Sequence, residues 1–390
     1  NVVWRVGSIE EFRYFAKPFA RQAVKEGRNL IYMRFASHEP ILEPEPGIKI
    51  CEFDPDKGFE AFTVDIYNCI TREGREAFYV FDSLSSLQSV WYTDLMMGNF
   101  FRVTCPYLFK LDTVAYFPLL RGKHSFHTVS RIRDTTQLLL DVHSGEELYL
   151  HPLKVWNRYT PRMFLPHCMD PGSGKFRAVE DGVSMSRYYQ LLEEEEIQEQ
   201  DQSLDSYDRF FSMARMEYRQ GRLSERTQQQ IVESTMTKDS RLQEMIKEYF
   251  DPRDYFLLRD RMAGSGSIGG KACGMLLARK IVQTRLPWGR KYLEPHDSYY
   301  IGSDVFYTYI VSNNCWEIRI AQRTEEGYFA KAEDLRKALL SGEFPADIRE
   351  KFRSVLEYFG QSPIIVRSSS FLEDGFGNAF AGKYESVFCV

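Results

Sequence analysis

The chain has 390 residues, a formal net charge of −5 and a hydrophobic content of 43%. That length forms two or three ordinary domains, and the acidic balance argues against a general nucleic-acid binder. No apolar run approaches the length of a membrane span and no secretory leader is visible, so a cytoplasmic chain without membrane contact is expected.

Strand-like runs recur over the first 160 residues: VVWRV, NLIYMRF, IKICEF, EAFYVFD, TVAYFPL, TTQLLLDV and LYLHPLKVWN. Helical patterns fall between the early ones, over 9–26 and 59–73. Apolar strands alternating with helices predict a parallel α/β sheet covered on both faces. The layout is similar to a RecA-like ATPase core, with a hydrophobic strand that ends in an acid, Asp82. A working phosphate loop would need G-x-x-x-x-G-K-[ST] after the first strand. Here the chain reads VGSIEEFRYFAK, where Ser8 and Glu11 form a capping box and Glu10 and Glu11 put negative charge where phosphate would sit. The expectation is a domain over 1–168 without a Walker A motif, used for regulation or assembly. In it Asp82 is an ordinary strand-end acid rather than a magnesium ligand. Some other α/β domain fits the pattern equally.

The seven cysteines, at 51, 69, 105, 168, 273, 315 and 389, lack C-x-x-C spacing and read as reduced thiols without a zinc site. His124 and His127 stand three apart, which favours a surface or packing role over metal ligation. Residues 169–182 are rich in Gly, Pro and Asp and read as loop. From 184 to about 250, helix-favouring stretches predict two or three helices in a connector spanning 169–252. Its acid run, Glu193 to Glu196, reads as a solvated helix face. Phe210, Phe211, Met213, Met216 and Tyr218 mark a packing face.

The last third carries two motifs. Residues 261–275 read RMAGSGSIGGKACGM, with Lys271 where a helical pattern begins. Glycines before a helix expose backbone N–H donors and the positive end of the dipole, and lysine adds a mobile charge. Residues 362–390 read SPIIVRSSSFLEDGFGNAFAGKYESVFCV. An apolar strand there delivers Arg367, then Ser368, Ser369 and Ser370, before a glycine-rich loop. Arginine beside hydroxyls and flexible backbone is suited to gripping a polyphosphate.

The second string resembles the VRSSA…ED…SFAGQ.ET.LNV signature of the nucleotide-binding domain of phosphoenolpyruvate synthase and pyruvate phosphate dikinase. Gly269, Gly270, Lys271, Ala272 and Gly274 fall on the GGK.a.LGem segment of the same family. The intervening order agrees, with DSYYIG, SDVFYTYIV, AEDLRKALLSGEF, PADIREKFRSVLEYFG and PIIVRS. The resemblance covers about 254–390. It implies the amino-terminal lobe of an ATP-grasp domain over 253–390, so that the whole chain is α/β with a helical connector. It also implies that Lys271 and Arg367 act on ATP phosphates. Gly269 and Gly270 would give backbone donors, with Ser368, Ser369 and Glu385 at the nucleotide. Lys383 departs from the family pattern and is carried only as a further phosphate contact. Glu373 and Asp374 stay open between orienting Arg367, approaching a metal and lying solvated in a turn.

The reaction implied is phosphoryl transfer from Mg-ATP to a histidine on a separate domain and from it to pyruvate, by an ATP-dependent phosphotransferase of the dikinase type. The phosphohistidine and pyruvate-binding domains and the second lobe are not in this sequence. The chain is therefore expected to be the amino-terminal part of a larger enzyme and inactive alone. Association of copies is left open. Two alternatives stand: a dikinase acting on a glucan or an antibiotic, and a regulatory or scaffold protein with vestigial nucleotide folds.

Overall fold

The computed structural model describes residues 1–196, 201–294, 297–370, 374–375, 378–379 and 384–389. The fold is mixed α/β and divides into two compact units, Asn1–Ser206 and Tyr207–Val390.

The first unit runs β1 (Val2–Val6), α1 (Ile9–Lys25), β2 (Leu30–Arg34), β3 (Ile48–Glu52), α2 (Phe59–Glu73), β4 (Phe78–Phe81) and α3 (Gln88–Trp91). It continues with α4 (Asp94–Lys110), β5 (Val114–Leu120), α5 (Phe126–Thr135), β6 (Leu138–Ser144), β7 (Leu148–Val155), β8 (His167–Met169), β9 (Phe176–Ala178) and α6 (Gly182–Glu196). All nine strands form one sheet in the order β3-β2-β4-β5-β1-β6-β7-β8-β9. The first six in that order are parallel and β7 to β9 are antiparallel. The parallel sheet expected from the alternating pattern is therefore present.

Both faces of the sheet are covered. On one, α1 turns Phe12, Ala16, Ala20 and Ala23 onto Trp4, Tyr32, Val80 and Leu140. On the other, Phe62 of α2 packs edge-on and Phe100 of α4 tilted against Trp91, and Phe81 stacks on Phe117 at 4.3 Å. Burial of this kind contributes about 25 cal/mol per Å² of apolar surface, which makes the double-sided core the main source of stability. Residues 169–182 are not simply loop: β8 and β9 pair across them from His167↔Ala178 to Met169↔Phe176. The Gly172–Gly174 turn that joins the two strands is held by Asp170, which accepts from the Gly172 N–H at 2.9 Å.

The second unit follows from α7 (Ser206–Arg219) through α8 (Glu225–Thr235), α9 (Ser240–Tyr249), α10 (Pro252–Asp260), β10 (Met262–Ala263), α11 (Gly270–Arg285) and β11 (Tyr300–Ile301). It then holds α12 (Ser303–Ser312), α13 (Trp316–Gln322), α14 (Gly327–Ala330), α15 (Ala332–Ser341), α16 (Ala346–Phe359), β12 (Ile364–Arg367), β13 (Asp374–Gly375), β14 (Asn378–Ala379) and β15 (Ser386–Cys389). Its strands are short: β10 pairs β11 in parallel, β12 pairs β15 antiparallel and β13 pairs β14 antiparallel. The strand, helix, helix pair and strand read between the two motifs are all present as β11, α12, α15–α16 and β12, with α13 and α14 added between α12 and α15.

The packing face of α7 differs from its sequence reading. Tyr207, Phe211 and Ala214 are buried, whereas Met213, Met216 and Tyr218 are exposed. Spacing of three and four selects the first set; Met213 and Met216 lie on the opposite side of the helix, and Tyr218, on the buried face one turn beyond Ala214, packs against Phe256. Among the described residues, no helix is long and apolar enough to cross a membrane.

Candidate nucleotide-binding site

The glycine loop of the second unit is held from three sides. Asp304, in the first turn of α12 and 4% exposed, accepts from the Ser265 N–H at 2.9 Å, the Val305 N–H at 2.7 Å and the Ser265 hydroxyl at 2.7 Å. Burial pushes its carboxyl up to about 6, against the pull of those three donors. The end of α8 holds the middle of the loop. The Ile268 N–H donates to the Thr235 carbonyl at 2.9 Å, and the Ser267 hydroxyl to the Met236 carbonyl at 3.0 Å. Arg261 anchors the base, stacking on Tyr358 at 4.3 Å and on Tyr299 at 4.9 Å while pairing with Asp297.

The third side is the other motif. Gly269, at φ +82°, ends the loop as the N-cap of α11. A Cβ there would lie 1.4 Å from the Ser369 carbonyl oxygen, so the approach demands glycine. The Ser369 hydroxyl accepts from the Ala272 N–H at 3.0 Å, satisfying one of the amides that a helix start leaves unpaired. The two motifs therefore meet at the positive end of a 16-residue helix.

The remaining candidates are distributed around this contact. Gly270 and Lys271 open α11, with Lys271 half-buried, and Ser368 and Ser370 are half-buried on either side of Ser369. Arg367 ends β12, is exposed, and faces Ser386 across the β12–β15 pair, beside exposed Glu385. Glu373 and Lys383 lie outside the described residues. The backbone of Asp374 lies in β13.

Asp304 was missed by sequence reasoning. An SD pair at a helix start signals only a cap, and its partner Ser265 lies 39 residues away. Among the described residues, no group of three carboxylate, imidazole or thiol side chains could hold a metal ion.

In the first unit, the phosphate-loop position is filled by side chains. The Ser8 hydroxyl accepts from the Glu11 N–H at 3.3 Å, and the Glu11 carboxylate accepts from the Gly7 N–H at 2.7 Å. The reciprocal arm of the expected capping box thus reaches Gly7 rather than Ser8. Asp82 is more than an ordinary strand-end acid. Fully buried, it accepts from Tyr32, from Arg34 at 2.6 Å and from the Phe35 and Ala36 N–H groups at 2.9 and 2.8 Å.

His124 does not pair with His127. Its Nε2 lies 2.7 Å from the Ser85 hydroxyl, and its Nδ1 lies 3.3 Å from Asp94. All three are buried, and the Ser85 oxygen also accepts from the Leu120 N–H, so this trio ties segments together without access for a substrate.

Residues 265–390 match the family model of the pyruvate phosphate dikinase AMP/ATP-binding domain. No curated protein matches the chain. The matched third, from the glycine loop through both motifs, is therefore similar to the AMP/ATP-binding domain of pyruvate phosphate dikinase. That similarity supports an ATP-binding part in this third of the chain.

Proposed function

We propose that residues 253–390 form the first lobe of an ATP-grasp site that presents the terminal phosphates of ATP for transfer to a histidine on a domain outside this sequence, and from there to pyruvate. The observation that supports this reading most is the Ala272–Ser369 contact, which seats the serine motif on the N-terminus of α11. Backbone donors of Gly269 and Gly270, the helix dipole, Lys271 and Arg367 would then converge on phosphate, with Ser368, Ser369 and Glu385 beside it. In phosphoryl transfer such groups act by positioning and by neutralising charge. The described residues do not supply a magnesium cage, so no step is assigned to the metal.

In this reading 169–252 is a helical connector and 1–168 is a RecA-like core without phosphate-loop chemistry, in which the Glu11 carboxylate and the fully engaged Asp82 leave no place for a metal-bound triphosphate. Photolabelling the chain with an azido-ATP and mapping the adducts tests the assignment. Labels within 261–275 and 362–389 are expected, and labels confined to the first 206 residues would overturn it.

A further inference from the structure

The carboxyl ends of β1, β5 and β6 in the first unit hold a polar cluster that the nucleotide reading does not use. The chain leaves β1 toward β2 on one side, whereas β5 sends it across β1 to β6 on the other. In open parallel sheets that reversal is where ligands bind. Gly7 and Glu11 follow β1, Arg121 follows β5, and His143 and Ser144 end β6.

Arg121 is held there independently of any ligand, because its side chain donates to the Val142 carbonyl and is 8% exposed. Its second terminal nitrogen reaches Glu195 Oε1 at 2.6 Å, while Glu195 Oε2 lies 2.6 Å from His143 Nδ1. His143 Nδ1 also lies 2.9 Å from Arg121 Nη1, and the shorter approach to the carboxylate orients the Nδ1 proton toward Glu195. One carboxylate is thus gripped through both oxygens by two nearly buried donors, the arrangement that arginine offers to planar oxyanions.

The carboxylate comes from α6, outside the sheet. Among the described side chains of the acid run, Glu195 departs from the expected solvated face, its side chain being 24% exposed. A buried ion pair that merely fastened a helix would be costly to desolvate and easily replaced by apolar packing.

We propose that Arg121 and His143 form an oxyanion site for a small carboxylate ligand, and that Glu195 occupies it as a built-in competitor. The charge count selects carboxylate over phosphate. Glu11 sits beside the site, its oxygens taken by the Gly7 N–H at 2.7 Å and the Ser144 hydroxyl at 2.6 Å. Arg121 pairs with Glu195, and Glu11 lies close by, both Arg121 and Glu11 approaching the same point above Gly7, while the neighbouring Arg5–Asp141 pair is balanced. A monoanion replacing Glu195 leaves this sum unchanged, whereas a phosphate dianion adds a further negative charge against Glu11.

The test titrates carbon-13-labelled acetate and, separately, inorganic phosphate into the full chain, Glu195→Ala and Glu195→Gln, reading line broadening by NMR. Circular dichroism checks the fold. Acetate affinity should rise about tenfold or more in Glu195→Ala and less in Glu195→Gln, with a smaller gain for phosphate. Adding Arg121→Lys, which keeps the charge but loses the fork, should remove the gain. Equal acetate affinity in the unaltered chain and a folded Glu195→Ala would overturn the proposal. So would an unfolded Glu195→Ala together with no gain in Glu195→Gln, since Glu195 would then be a structural fastener. A larger gain for phosphate would overturn the choice of carboxylate.

Discussion

The Ser369 hydroxyl accepts a hydrogen bond from the Ala272 N–H at 3.0 Å across 97 positions of chain. It joins a glycine loop to a strand-end serine run, neither of which is complete as an anion site alone. Ser369→Ala should cost about 1 kcal/mol of stability, the usual worth of an N-cap oxygen, and should weaken ATP binding with it. Urea unfolding followed through the second unit checks the first effect and ATP titration the second. Unchanged values in both would mean that the contact does not organise the site.

Gly269→Ala should be more damaging than Ser369→Ala. The added methyl meets backbone rather than a movable side chain, at a residue with φ +82°. The loop must shift off Ser369, and a loss of about 2–3 kcal/mol is expected from strain and broken packing together. A variant that keeps full stability in urea would show that the close approach is relaxed in solution.

Asp304 gives a pH signature. Its carboxyl titrates at about 6 in the folded chain against an ordinary 3.8. Below about 3.8 both states are protonated and burial carries no penalty. As pH rises through 6 the unfolded state gains from ionising first, and the folded state loses on the order of 3 kcal/mol. Asp304→Asn keeps an acceptor for the Ser265 and Val305 N–H groups and cannot ionise. Its stability relative to the unaltered chain should therefore increase between pH 4 and pH 7. Parallel pH profiles in urea unfolding would contradict the assignment.

Asp82→Ala should destabilise the first unit by about 3–5 kcal/mol, because it leaves Arg34, Tyr32 and two backbone amides without their buried acceptor. Differential scanning calorimetry should show the loss. A transition unmoved from the unaltered chain would mean that water replaces the carboxylate at no cost.

Much of the first unit was legible because its strands are short apolar runs set between turn signals, and seven of them lie where VVWRV through LYLHPLKVWN place them. Helix α4 was not singled out. It is buried on most sides and contains Gly98 and Pro106, so no polar stripe marks its period. Strands β8 and β9 were hidden by the turn-rich composition between them.

In the second unit the two motifs were readable as local strings, and the family resemblance implied that both reach one nucleotide, but not that they touch at Ser369. Asp304 and Glu195 were not readable. A buried carboxylate and a solvated one look alike in sequence, and their partners Ser265 and Arg121 lie 39 and 74 positions away. What decides burial is tertiary packing, which hydrophobic periodicity does not encode for charged residues.

The central claim is that the second unit grips ATP through α11 and the end of β12. Calorimetric titration of Mg-ATP into the chain, with Lys271→Ala and Arg367→Ala alongside, tests it most directly. The account predicts binding by the unaltered chain, loss in Lys271→Ala, and in Arg367→Ala a weakening on the order of 1.5–3 kcal/mol, the worth of a charged hydrogen bond. Binding of equal strength in all three would contradict it.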